Sequence, residues 1–231
     1  MLVGGSDRPL ISNIYPLLSN HMVEEKEEKF DFTQWARDVM DPVFSPLLNV
    51  FIKLGVTPNM LTVAGTLGHF VSVWFLSQGR ITAAGLALLL LAPLDAMDGA
   101  LARKLEQPYS PFGAFLDSTL DRVSELILFG GIVYYYYLVD NPLMMVVAYA
   151  GIGGSLMVSY ARAKAEALGI DGKVGFFGRL ERYLVIVNLM ILGQLTLALI
   201  IVVTLSWITA GQRFYAVYRQ LTAQENGEIQ R

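Results

Sequence analysis

Long apolar runs follow one another from Asn59 to about Val217, and no water-soluble fold accommodates them. Crossing the hydrocarbon of a bilayer as a helix takes about 20 mostly apolar residues. Six runs read as such spans: Asn59–Gln78, Ile81 to about Leu105, Pro111 to about Val139, about Leu143–Ala165, about Phe176–Leu192, and Leu195 to about Val217. Polar or turn-forming breaks separate them, among them Ser77-Gln78-Gly79-Arg80, Asp140-Asn141-Pro142 and Gly193-Gln194. The composition agrees. Of 231 residues 54% are hydrophobic and only 16% charged, against about 25% charged in a soluble domain. This excludes a disordered or collagen-like chain. With no cysteine there is no disulfide, thiolate nucleophile or thiolate-bound zinc, and the redox compartment is unreadable. A net charge of −3 gives no support for nucleic-acid binding.

Lysine and arginine near span ends are retained in the cytoplasm. The loops on the side of the termini carry Arg103, Lys104, Arg162, Lys164, Lys173, Arg179, Arg182, Arg213 and Arg219, and the opposite loops only Arg80. The expected placement is therefore a multi-pass protein of the cell membrane with both termini cytoplasmic. No basic stretch followed by an apolar core opens the chain, so no secretory signal peptide is expected. Ahead of the spans, Val23–Asp31 is a solvated charged run. Phe32, Trp35, Val39, Val43, Leu47 and Phe51 then recur at spacings of three and four, the pattern of an amphipathic helix lying in the membrane interface, with Pro42 and Pro46 as kink points. The alternative is a helix packed on a soluble domain. The expected organisation is a cytoplasmic segment over 1–31, an amphipathic juxtamembrane helix over 32–54, a six-helix all-α transmembrane domain over 55–221 and a tail over 222–231.

Four carboxylates sit where a membrane protein tolerates them least. Asp95 and Asp98 are three apart, and Asp117 and Asp121 four apart, so each pair shares a helix face. A short loop, Glu106–Ser110, lets the two faces oppose. Acids so placed repel and take up protons unless cations lie between them. One reading is a binuclear site for Mg²⁺, which binds carboxylates together with substrate phosphates. The other is a set of intramembrane salt bridges to Arg103 and Arg122. Glu125 and Arg122, following Asp121, are expected to tune the site or pair locally. His69 is expected to make a structural hydrogen bond. Trp74 and Tyr134–Tyr137 are read as interface or packing aromatics.

Asp95-Ala96-Met97-Asp98-Gly99-Ala100-Leu101-Ala102-Arg103, followed by Gly113, Asp117 and Asp121, resembles the complete signature of the CDP-alcohol phosphotransferase family. The likeness covers about Gly55–Leu221, including Thr57-Pro58-Asn59-Met60-Leu61-Thr62. It implies transfer of a substituted phosphate from a CDP-linked lipid to an alcohol with release of CMP. By the same resemblance Asp95, Asp98 and Asp117 are metal ligands, with Asp117 bridging two Mg²⁺ ions (or Mn²⁺), and Asp121 faces the second ion as general base. Gly99 and Ala102 make room for the nucleotide, Arg103 holds its phosphate, and Asn59, Thr62 and Ser110 match CDP contacts. For Asn59 and Thr62, capping after Pro58 is an alternative that is compatible with contact.

Arg162 and Lys164, then Arg179 and Arg182, supply four cations around one cytoplasmic loop. They suit the phosphate of a second substrate, or else positive-inside anchoring and anionic-lipid contact. The stretch is similar to that of phosphatidylinositol-phosphate synthases and their archaeal ether-lipid counterparts. Gly178 and Leu180 stand where that subgroup usually has Glu and Pro. The resemblance implies inositol phosphate as acceptor, with a homodimeric assembly in membrane lipid. Glycerol phosphate or serine as acceptor is the competing enzyme reading, and a cation transporter the non-enzymatic one. No internal repeat supports the transporter.

Overall fold

The structure, a computed structural model, describes residues 32–106, 110–170, 172 and 174–227, with backbone alone over 32–42. The expected cytoplasmic segment over 1–31 lies outside the described residues. The chain divides into two compact units, Met1–Asp38 and Val39–Arg231. Of the first, only the helical backbone of 32–38 is described, and every described side chain belongs to the second.

Eight helices and no strand occur among the described residues: α1 (Phe32–Lys53), α2 (Pro58–Ser77), α3 (Ile81–Leu91), α4 (Pro93–Lys104), α5 (Pro111–Leu138), α6 (Pro142–Ala167), α7 (Arg179–Ile191) and α8 (Leu195–Glu225). Four begin with proline, whose missing N–H and fixed φ suit the first helical position. The residue before the proline caps three of them. The Thr57, Ser110 and Asn141 side chains accept from the N–H groups of Met60 (3.4 Å), Gly113 (3.1 Å) and Met144 (3.2 Å). The cap of α2 is thus Thr57, which corrects the capping role considered for Asn59 and Thr62. Gly79 and Gly193, at φ +72° each, turn the chain tightly after α2 and α7, where a Cβ would be strained.

The second apolar run is two helices rather than one. Pro93 has no N–H to return to the carbonyl four residues back, and Asp95 N bonds Ala92 O at 3.1 Å in a tighter turn. The break has a consequence for charge: Asp95 becomes a first-turn residue of α4, where free N–H groups and the helix dipole favour an anion. Helix α7, the fifth expected span, starts at Arg179, later than the expected Phe176, and α8 continues past Val217 to Glu225.

Among the described residues, four stretches are long and apolar enough to cross a bilayer: Pro58–Ser77, Ile81–Lys104, Pro142–Ala167 and Leu195–Glu225. Helix α5 has the length but carries Asp117, Asp121, Arg122 and Glu125. The 13 residues of α7 rise about 20 Å, less than a hydrocarbon core of about 30 Å. Large apolar side chains face outward, Leu90 at 73%, Tyr149 at 72% and Phe214 at 75% exposure, a surface compatible with lipid and not with water. Trp74, Tyr134 and Tyr137 are likewise exposed, whereas Tyr136 is buried.

The interior combines an apolar cluster drawn from α2, α3 and α5–α8 with short polar links. Ser72 Oγ donates to Ala84 O (3.0 Å), Ser124 Oγ to Thr66 Oγ1 (3.2 Å) and Trp207 Nε1 to Ala150 O (3.0 Å). Such bonds hold helices together where lipid gives no hydrophobic drive between them. A second cluster seats Leu48 of α1 against Leu61, Met97, Ala100 and Leu101. Lys104 Nζ donates to Ser45 Oγ at 2.9 Å beside it, tying the end of α4 to α1.

Candidate active site

Helices α2 and α4 meet at backbone distance. A Cβ built on Gly65 would lie 2.7 Å from both the N and Cβ of Asp95, closer than any packed contact. Gly65→Ala is therefore expected to force the helices apart, costing about 1–3 kcal/mol by overpacking, with a lower thermal midpoint in detergent as the measured result.

That contact positions the acids. Asp95 is 6% exposed. Its Oδ2 accepts from Arg179 Nη2 at 3.1 Å, while its buried Oδ1 has no hydrogen-bond partner. Asp121 Oδ1 lies 2.5 Å from Arg179 Nη1 as an ion pair but without hydrogen-bond geometry. Arg122 Nη1 is 3.8 Å from Asp121 Oδ2. Carboxylate oxygens of Asp95, Asp117 and Asp121 come within 4.8 Å of one another. Asp98, beside this trio, is oriented by two donors: Thr62 Oγ1 donates to its Oδ2 at 2.7 Å, and Gly99 N donates to its Oδ1.

The salt-bridge reading of the acids is met in part: Arg122 pairs with Asp121, and a further arginine joins it. The arginine between Asp95 and Asp121 comes from α7. As its first residue, Arg179 sits where the helix dipole disfavours a cation, and the two carboxylates offset that cost. At an effective dielectric constant of about 20, two ionised carboxylates within 4.8 Å repel by about 3 kcal/mol or more. Three acids brought so close favour a cation among them. All-oxygen donors, one of them an orphaned buried oxygen, fit a hard divalent cation such as Mg²⁺ or Mn²⁺.

The expected nucleotide contacts gather beside the acids. A Cβ on Gly113 would lie 3.5 Å from Asn59 Oδ1 and 3.4 Å from Ser110 Cβ, so the N-terminal turns of α2 and α5 adjoin. A Cβ on Gly99 would meet only Arg103 Nη1, at 3.5 Å, leaving open space. Ala102 is half-buried and Arg103 exposed on the same helix. The four basic residues are not equivalent. Arg179 reaches the acids. Arg182, 4% exposed, donates to Glu125 Oε1 at 2.6 Å, and Ser155 Oγ to Glu125 Oε2 at 2.5 Å. Arg162 pairs with Glu166 within α6 at 2.8 Å, and Lys164 is exposed near that helix's end. His69 Nδ1 lies 2.9 Å from Gly65 O, a structural bond as expected. Below the acids, His69, Ser124, Glu125, Arg179, Arg182 and Tyr183 help line a cavity of about 40 Å³. A larger cleft of about 520 Å³ lies at the other end of α2, around Gly79, Thr82 and Gly193, with Arg80 as its single charge and none of the acids.

Two features of the site are not among the sequence expectations. The Glu125–Arg182 pair has a signal in the spacing, Glu125 four residues after Asp121 and Arg182 three after Arg179. The Gly65 contact has none, since a membrane helix contains many small residues.

Long helices with apolar outer faces, enclosing an acid cluster with an arginine across it, define an integral membrane enzyme. The chain belongs to the CDP-alcohol phosphatidyltransferase family, whose model matches residues 55–218. It is thus a membrane transferase of phospholipid biosynthesis. An archaetidylinositol phosphate synthase from Pyrococcus horikoshii is 38% identical over 171 residues, 73% of this chain and 87% of that one. The fold is similar to the crystal structure of Mycobacterium tuberculosis phosphatidylinositol phosphate synthase with CDP-DAG bound. The TM-score is 0.69 at 26% identity, covering 77% of this chain and 94% of that one. The same enzyme in complex with manganese and citrate matches with a TM-score of 0.69 at 27% identity, covering 75% and 88%.

Proposed function

We propose that the protein transfers a phosphatidyl or archaetidyl group from a CDP-linked lipid to a phosphorylated polyol, inositol phosphate above others, and releases CMP. The observation that carries this reading is the meeting of Asp95, Asp117 and Asp121 with Arg179 at one end of the bundle. The acids suit divalent cations and the arginine suits a phosphate. The relatives named for inositol phosphate products support the acceptor.

In this proposal Asp95, Asp98, Asp117 and Asp121 hold two Mg²⁺ or Mn²⁺ ions, with Asp98 oriented by Thr62. Bound there, the ions neutralise the pyrophosphate and the charge that develops on transfer. The CDP group lies against Asn59, Thr62, Gly99, Ala102, Arg103 and Ser110. The adjoining N-termini of α2 and α5 favour its anionic phosphates. Arg162, Lys164 and Arg179 receive the acceptor's phosphate, and Arg182, the fourth cation expected there, stands behind them, buried against Glu125. Asp121 takes the proton of the acceptor hydroxyl as its oxygen attacks the lipid-bearing phosphorus. The bond from that phosphorus to the CMP oxygen breaks, and CMP leaves with the electron pair.

A soluble acceptor and a lipid donor can meet at this site if it opens to the cytoplasm and to the adjoining leaflet. The proposal therefore includes six spans in the cell membrane with termini and active site cytoplasmic, α1 in the interface, and a homodimer as the family resemblance implies. The test is mass spectrometry of the lipid formed from CDP-diacylglycerol and inositol phosphate. A product heavier than phosphatidic acid by the inositol phosphate increment is expected; recovery of unchanged donor across a panel of phosphorylated polyols would reject the reading. Arg179→Ala is expected to raise the acceptor KM by about tenfold or more, since a charged hydrogen-bond partner is worth about 1.5–3 kcal/mol, while the donor KM changes little. Steady-state kinetics with each substrate varied in turn reads this, and equal effects on both would remove Arg179 from the acceptor site.

A further inference from the structure

Long charged side chains at matched spacing bridge helices α5 and α7. Asp121 and Glu125 are one turn apart on α5, and Arg179 and Arg182 one turn apart on α7. They form two rungs: Arg179–Asp121 at 2.5 Å and Arg182–Glu125 at 2.6 Å. The rungs differ in surroundings. The Arg179 side chain is 42% exposed, whereas Arg182 is buried, with Nη1 lacking a hydrogen-bond partner. The second carboxylate oxygen of Glu125 is fixed from a third helix by Ser155 of α6 at 2.5 Å. The adjoining cavity of about 40 Å³ has room for about three water molecules and is too small for a nucleotide.

We propose that Glu125 is a positioning residue for acceptor recognition. Clamped by Ser155, it holds Arg182 and so keeps α7 in the register that presents Arg179 to the acceptor's phosphate. The upper rung is the exchangeable one. Its carboxylate belongs to the acid trio, so Arg179 can leave Asp121 for a phosphate. The lower rung cannot exchange in the same way, because Glu125 has both oxygens engaged and Arg182 is enclosed. A phosphate therefore meets an arginine already aimed, without the cost of ordering it first. This inference rests on the acceptor-site reading of Arg179.

The experiment compares wild type, Glu125→Gln, Glu125→Asp and Ser155→Ala in detergent. Two measurements are made: steady-state kinetics, and the thermal-midpoint shift produced separately by inorganic phosphate and by Mn²⁺. Glu125→Gln leaves a buried arginine without its counter-charge, and Ser155→Ala keeps both charges, so the milder variant covers a failure to fold. The expected result for Glu125→Gln is an acceptor KM raised about tenfold or more, a donor KM within about twofold, and loss of the phosphate shift with the Mn²⁺ shift retained. Ser155→Ala is expected to raise the acceptor KM about threefold, and Glu125→Asp to recover part of what Glu125→Gln loses. Equal changes in both KM values, or a lower midpoint with both ligand shifts intact, would show a purely structural pair and overturn the inference while leaving the transferase reading standing. Loss of the phosphate shift in Glu125→Gln, with a wild type that shows the shift but transfers to no phosphorylated polyol, would reject the transferase reading and keep Glu125 only as the residue that aims Arg179 at a phosphate. A wild type with no phosphate shift would overturn the inference.

Discussion

Asp121→Asn is expected to lower acceptor-dependent CMP release by about 10²–10⁴-fold, the range that a positioned proton acceptor supplies. The substitution changes one oxygen to an NH₂ group and leaves the volume of the side chain nearly unaltered. It removes both a charge from the acid trio and the group proposed to take the acceptor's proton. Binding of CDP-lipid is expected to persist, because the proposed CDP contacts Asn59, Thr62, Gly99 and Ser110 lie on α2, α4 and the start of α5 and are left unchanged. CMP release under saturating donor, together with equilibrium binding of a CDP-lipid analogue, reads both halves. Turnover within about tenfold of wild type would remove Asp121 from the role of base.

The second large effect concerns cations. Chelation is expected to abolish CMP release, and Mg²⁺ or Mn²⁺ to restore it. Asp95→Asn or Asp117→Asn is expected to raise the Mn²⁺ concentration for half-maximal activity by about tenfold or more. The reason lies in the site's own electrostatics: three carboxylates approach within 4.8 Å, a single arginine bridges two of them, and Asp95 Oδ1 is buried with no partner. A divalent ion relieves the repulsion and satisfies that oxygen together. The Mn²⁺-induced rise in thermal midpoint should fall in the same variants, so the effect is separable from catalysis. Full activity in excess chelator would contradict the metal assignment.

The residues that meet at the acid site are legible in the sequence because membrane physics makes them conspicuous. A carboxylate costs little to place on a soluble surface and several kcal/mol within a span, so Asp95, Asp98, Asp117 and Asp121 stand out. Their pairing on two faces follows from helical spacing, and the matches of Gly99, Ala102, Arg103 and Gly113 follow from the family signature. Features that depend on where two helices cross are less legible. The break at Pro93 is readable from proline chemistry alone, but the apolar continuity of Ile81–Leu105 conceals it. The approach of Gly65 to Asp95 depends on the crossing of α2 and α4, which periodicity does not encode. Arg179 and Arg182 read as similar loop cations; the start of α7 at Arg179 separates them, placing one over the acids and burying the other against Glu125.

The most direct test of the central claim is CMP release by purified protein supplied with CDP-diacylglycerol, Mg²⁺ or Mn²⁺, and a panel of phosphorylated and unphosphorylated alcohols. The predicted result is release that requires the cation and is fastest with inositol phosphate. It should be much slower with free inositol, serine or glycerol, and should vanish in Asp121→Asn. Release that is indifferent to the acceptor's phosphate, or no release with any alcohol in the presence of the cation, would contradict it.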